Sequence, residues 1–292
     1  MEMLATMMHR PMTVRMLMAH GETIFPDSVI AAFDGARSHS ASYASVAAGA
    51  NRLAGALHAL GVRSGDRVAT FSWNSREHLE AYLAIPSMGA VMHTVNVRLS
   101  SEQVAWVINH AEDSVVILDA RLAELFAPVI PMLTTVRHIL VVGEAAVDAP
   151  GLEISDFGAA TAAQPDHYDW PDIDETRAAA VCYTSGTTGN PKGVVYSHRT
   201  TFVHSLASRA TDTFGICERD RILLLPPMFH ANAWGLPYSG WMSGSDIIMP
   251  GPFLQPDGIR KMINDERPTF TAMVPTLLGD LLRASQEGAV DM

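Results

Sequence analysis

The chain has 292 residues, 48% hydrophobic and 17% charged, enough to bury one large or two small cores. Its net charge of −11 argues against a nucleic-acid surface or an anionic membrane patch as the working face. Two cysteines, Cys182 and Cys217, leave no disulfide framework or zinc cluster to build and fit a reducing compartment. No signal-peptide pattern or run of 18 apolar residues occurs, so a cytoplasmic protein without a transmembrane segment is expected.

Strand and helix signals alternate from about residue 40. Val46, Ala50, Leu53, Leu57 and Leu60 recur at spacings of four and three, predicting a helix with one apolar stripe that stops at Gly61. A short strand is predicted over 67–72, then a helix opened by Asn74 with Glu77 and running to about Met88. Ser100 and Gln103 make a capping-box pattern ahead of Val104, Val107 and Ile108. Residues 115–118 and 139–142 are continuously apolar at strand length, as in a sheet covered on both faces. Residues 143–176 hold Pro150, Pro165 and Pro171 with little periodicity and read as a connection between two lobes. Beyond them, strands are expected near 178–183, 193–196, 222–225, 247–249 and 269–273. The alternation predicts an α/β fold with largely parallel sheets, divided into units 1–170 and 171–292.

The second unit opens on the most informative stretch, residues 183–193, Tyr-Thr-Ser-Gly-Thr-Thr-Gly-Asn-Pro-Lys-Gly. Gly186, Gly189 and Gly193 let backbone N–H groups approach an anion closely. Thr184, Ser185, Thr187 and Thr188 add hydroxyls, and Lys192 adds a positive charge. A solvated turn is the plain alternative, but roughly nine fixed letters in order are improbable at residue frequencies of several per cent. A Walker-type loop fails on context. Lys192 is followed by Gly193 and a β-branched, aromatic strand (Val194, Val195, Tyr196), and a helix begins only at Ser197, a plausible N-cap.

The segment resembles the signature loop of the adenylate-forming superfamily: acyl-CoA synthetases, luciferases and peptide-synthetase adenylation domains. Residues 227–235, Pro-Met-Phe-His-Ala-Asn-Ala-Trp-Gly, resemble the second core motif of its fatty acyl-CoA synthetase branch. Tyr43 with the 61–68 stretch, residues 84–91, residues 96–100, and Val274-Pro275-Thr276 resemble further blocks, so the likeness runs from about residue 13 to the end. The resemblance implies two similar αβ lobes with sheets packed between helices. It implies ATP, Mg²⁺ and CoA as cofactor and co-substrates, with a medium- or long-chain fatty acid converted to acyl-AMP and then acyl-CoA. The loop residues Thr184, Ser185, Gly186, Thr187, Thr188, Gly189 and Lys192 would hold the phosphates, with Thr184 also a Mg²⁺ ligand and Lys192 catalytic. Ala231 would line the nucleotide site through its backbone. His230, which on general grounds is more often a satisfied core histidine than a catalyst, would be a catalytic residue flanking the acyl carboxylate. Trp234, equally readable as core, would gate the acyl tunnel. Phe202, Val203 and Leu206 of the helix after Ser197 are candidates to line that tunnel or to pack as core. A homodimer through the N-terminal lobe is also implied.

The sequence departs from the family pattern in one large respect. It stops at Met292, and nothing in it resembles the G-x-T-E segment, the ribose-binding aspartate, the hinge or the C-terminal lid with its catalytic lysine. The expectation is an N-terminal part of a fatty acyl-CoA ligase, with no ATP-dependent acyl-CoA formation by these 292 residues alone. The alternatives are a non-catalytic nucleotide- or partner-binding protein of the same family, or a ligase for a short sulfur-containing or other small acid.

Overall fold

The structure, a computed structural model, describes residues 6–7, 9–184 and 190–286. Its strands are β1 (Val29–Phe33), β2 (Ser38–Ser42), β3 (Arg67–Phe71), β4 (Val91–Thr94), β5 (Asp113–Asp119), β6 (His138–Val142), β7 (Glu153–Asp156), β8 (Ala178–Thr184), β9 (Lys192–Ser197), β10 (Arg221–Leu223), β11 (Asp246–Met249) and β12 (Phe270–Thr271). Its helices are α1 (Val14–Ile24), α2 (Tyr43–Ala59), α3 (Arg76–Ser87), α4 (Ser101–Ala111), α5 (Ala123–Phe126), α6 (Phe157–Ala162), α7 (His198–Ser208), α8 (Leu236–Ser243), α9 (Pro256–Glu266) and α10 (Pro275–Gln286).

Helix starts follow local chemistry. The hydroxyls of Thr13, Ser42, Ser75, Ser100 and Ser197 each accept a backbone N–H from the first turn of the helix they precede. At Ser100 the capping box with Gln103 is complete. Ser75, rather than Asn74, caps α3, and Asn74 is released for a different task described below.

Two sheets result. One has seven strands in the order β7-β6-β5-β3-β4-β8-β9, the other five in the order β12-β10-β11-β1-β2. Each is parallel except at one edge, where an antiparallel pair, β8–β9 or β1–β2, closes it. The apolar runs explain the layering. Along β5, Val115 and Ile117 enter the core between the sheets, and Val116 and Leu118 enter the core beneath α4. Along β11, Ile247 and Met249 join the shared core and Ile248 faces α9. Helices α1, α2, α3 and α8 contribute to the shared core, so the order is helix, sheet, helices, sheet, helix.

The units do not follow the chain as expected. Each sheet draws strands from both sides of residue 170: β8 and β9 complete the seven-stranded sheet, and β1 and β2 complete the five-stranded one. The connection over 143–176 is also more ordered than its prolines suggest, containing β7 and α6. Its far end is tied down by Asn51, whose Oδ1 accepts the Tyr168 N–H (3.0 Å) and the Trp170 indole N–H (3.1 Å).

Candidate functional site: a hairpin, a left-handed turn and the cavity beside them

The β8–β9 pair is a hairpin whose base pairs Tyr183 with Gly193 and Thr184 with Lys192. Ser185, Gly186, Thr187, Thr188 and Gly189 lie outside the described residues. Strand–loop–strand is the context read from sequence, and Ser197 caps α7 through the Thr200 N–H. Tyr183 is pinned from several sides. Its hydroxyl shares a hydrogen bond with His110 Nδ1 at 2.7 Å, its ring lies 5.0 Å from that of His93, and Trp106 stacks on His110. A Cβ at Gly193 would stand 3.2 Å from Tyr183 Cζ, so glycine lets the ring lie across the hairpin base. Beneath it, His93 and Asp113 form a fully buried pair at 2.6 Å, and burial pushes the Asp113 carboxyl up from its ordinary range. Thr184 and Lys192 are both exposed, with the Thr184 hydroxyl 3.5 Å from the Lys192 carbonyl. Two polar groups thus project from the root of a glycine-rich loop.

The second motif adopts an uncommon backbone. Ala231, Asn232, Ala233, Trp234 and Gly235 have φ of 45°, 49°, 49°, 56° and 73°, one left-handed turn in which four residues carry side chains. Each such residue costs about 1–2 kcal/mol, and it persists only where its surroundings over-determine it. Asn74 anchors the segment leading in: its amide donates to the Leu224 (2.7 Å) and Pro226 (2.9 Å) carbonyls, and its Oδ1 accepts the Met228 N–H (2.8 Å). Tyr82 adds a hydrogen bond to the Met228 carbonyl at 2.5 Å. On the exit side the Trp234 carbonyl lies 2.9 Å from His204 Nε2, and a Cβ on Gly235 would fall 2.5 Å from the His204 ring.

Between α7 and this turn lies a cavity of about 430 Å³, lined by Tyr196, Thr200, Thr201, His204, Ala231, Asn232, Trp234, Gly235 and Tyr238. Of the residues singled out in the sequence, Ala231 and Trp234 reach it, and Trp234 is 41% exposed. His230 is exposed just ahead of the turn and is not among the lining residues. The apolar side chains of α7 do not line it either: Val203 and Leu206 face solvent, and Phe202 packs partly against the shared core. Thr200, Thr201 and His204, spaced along the other face of α7, supply that wall. The i, i+4 spacing of Thr200 and His204 on α7 was the available signal, obscured because these residues are polar, and Tyr196 joins them from the end of β9.

A single hydroxyl, that of Thr184, is the hard oxygen donor the described residues place at the hairpin root. Among the described residues no group of three His, Cys, Asp or Glu could hold a metal ion. The donor set therefore fits Mg²⁺ only as an ion carried largely by phosphate oxygens.

Comparison with known proteins identifies the family and the fold. A family profile described as AMP-binding enzyme matches residues 22–291. The 3-methylmercaptopropionyl-CoA ligase of Ruegeria pomeroyi is 40% identical over 290 residues, covering 97% of this chain and 53% of that protein. The long-chain-fatty-acid–CoA ligase of Thermus thermophilus is 44% identical over 250 residues, covering 85% of this chain and 45% of the relative. Among solved structures, the inhibitor-bound N-terminal domain of FACL13 from Mycobacterium tuberculosis superimposes with a TM-score of 0.79 at 27% identity, over 96% of this chain and 67% of that one. The chain spans about half the length of the curated relatives it matches.

Proposed function

We propose a function on one premise: the chain belongs to the AMP-binding enzyme family, whose relatives of this chain are CoA ligases. The reaction proposed is ATP-dependent activation of a medium- or long-chain fatty acid. A carboxylate oxygen attacks the α-phosphorus of ATP, pyrophosphate leaves, and the CoA thiolate then takes the acyl group from acyl-AMP with release of AMP. Such chemistry depends on positioning and on neutralising phosphate charge. Lys192 and the hairpin amides serve the phosphates, and Thr184 offers an oxygen to Mg²⁺, which supplies further charge neutralisation when bound. His230 is assigned to the acyl carboxylate, Ala231 to the nucleotide and Trp234 to the mouth of the acyl path. The observation that carries this reading is the cavity of about 430 Å³ lying between α7 and the left-handed turn, next to the hairpin bearing Thr184 and Lys192.

A second reading, activation of a short sulfur-containing acid, is favoured by the Ruegeria relative and by the polar wall of Thr200, Thr201 and His204. Calorimetric titration with sulfamoyl-adenosine analogues of decanoate and of 3-(methylthio)propionate separates the two. Tighter binding of the decanoyl compound supports the fatty-acid reading, and the reverse order supports the other. Lys192→Ala is expected to weaken Mg·ATP binding about tenfold, the loss of one charge-assisted contact; unchanged binding would overturn the nucleotide assignment. The compartment and a homodimer stay proposals. No helix of the described residues is long and apolar enough to cross a membrane.

A further inference from the structure

The left-handed turn needs an explanation, because four non-glycine residues hold a conformation each would avoid in isolation. Its strongest tether is Asn232. The Asn232 Oδ1 accepts from the Thr94 hydroxyl at 3.1 Å and lies 3.0 Å from Cys182 Sγ, and Thr94 Oγ1 and Cys182 Sγ are 3.1 Å apart. All three side chains are buried. Thr94 and Cys182 are register partners on the paired strands β4 and β8, so two adjacent strands present two donors to one amide oxygen. Cys182 sits two residues before Thr184, at the root of the hairpin. Burial pushes the Cys182 thiol up, which keeps its S–H available as a donor. Asparagine also tolerates the left-handed region better than most residues, so position 232 joins the backbone requirement to the tether.

We propose that Thr94, Cys182 and Asn232 are positioning residues that clamp the turn carrying Ala231 and Trp234, with His230 just ahead of it, to the root of the phosphate hairpin. This rests on the ligase reading. An acid and a nucleotide must meet in line for adenylation, and a displacement of an ångström costs on the order of 10²-fold in rate. A rigid tie between the element serving the acid and the element serving the phosphates meets that need. An apolar core at the same place would have avoided three buried polar groups.

The test uses the full 292-residue chain carrying Cys217→Ser, so that Cys182 is its one thiol. Three quantities are compared in this parent, Thr94→Val and Thr94→Ser: affinity for decanoyl-sulfamoyl-adenosine, affinity for Mg·pyrophosphate, and the rate of Cys182 alkylation by iodoacetamide. Thr94→Val is expected to lose about tenfold in analogue affinity, the worth of one buried hydrogen bond, while pyrophosphate binding stays within about twofold. Alkylation should rise by about tenfold as the clamp opens, and Thr94→Ser should restore all three values. A role confined to stability would weaken both ligands together, and that result, or analogue binding equal to the parent's, overturns the proposal. Should the parent bind neither the decanoyl nor the 3-(methylthio)propionyl analogue, the ligase reading of this chain fails and alkylation alone decides: an unchanged rate in Thr94→Val sinks the clamp, and a raised rate supports it. Asn232→Gly keeps the backbone option and removes the amide, and should behave as Thr94→Val does; if it does not fold, the threonine pair carries the test.

Discussion

Glu80 lies between α2 and α3 with its side chain 5% exposed, and burial pushes its carboxyl up to about 8. Arg76 Nε stands 3.3 Å away but makes no aligned hydrogen bond, so its charge offsets little of the desolvation. The folded-state value lies above the unfolded one. Stability from this group is therefore complete below about pH 4.5 and drains away as pH rises to about 8. Glu80→Gln should match the wild type near pH 4.5 and gain on it by roughly 1.4 kcal/mol per pH unit up to about pH 8. Urea unfolding at pH 5, 6.5 and 8 checks this, and a constant difference would refute it. A second single-residue effect sits at Gly235, where φ is +73° and the His204 ring leaves no room for a Cβ. Gly235→Ala should destabilise by about 2 kcal/mol and push His204 off the Trp234 carbonyl, read as a lower melting temperature and a changed Trp234 emission. Residues of this kind divide by legibility. Thr184, Lys192 and Trp234 stood out because motif chemistry is local in sequence. His204, Asn232 and Thr94 did not, since their importance lies in contacts across 30 to 138 positions.

Elements were legible where their burial pattern is strong. β5 and β6 carry continuous apolar runs at 115–118 and 139–142 because both faces are covered there, and those runs announced them. β1 and β2 were not read: β1 is five residues long, two of them alanine, and β2 is an edge strand of Ser, His and Ala whose polarity suits exposure. α7 was read as a helix with the wrong face inward, because its buried positions are His198, Ser205 and Ser208 while Val203 and Leu206 are open to solvent. Asn74 is the sharpest case, expected at a helix start and found instead joining the end of β3 to the segment after β10. Removing it strands two carbonyls and one N–H in a buried joint. Asn74→Ala should cost about 3 kcal/mol in urea unfolding and loosen the 226–230 segment, seen as faster amide exchange at Met228. Loss below about 1 kcal/mol would show that water replaces the side chain without penalty.

At the scale of the molecule, the sheets are well covered over α4 and between the layers but not along β9 and α7. Val194, Val195, Val203 and Leu206 are 40%, 62%, 47% and 52% exposed, and β9 is the outer strand of the seven-stranded sheet. A row of unpaired backbone groups on an edge strand whose valines are exposed favours self-association. The net charge of −11 opposes it, but charge repulsion acts over the whole surface whereas pairing needs only one edge. Sedimentation velocity at rising concentration should therefore show dimers and larger species. Val195→Lys with Leu206→Lys should shift the distribution toward monomer while moving stability by no more than about 0.5 kcal/mol, since both side chains already face water. Persistence of the same species in the double variant would locate the contact elsewhere, with the homodimer surface implied for the N-terminal lobe as the next region to alter. A monodisperse monomer in the unaltered chain would show that the edge strand is protected by its own twist and charge.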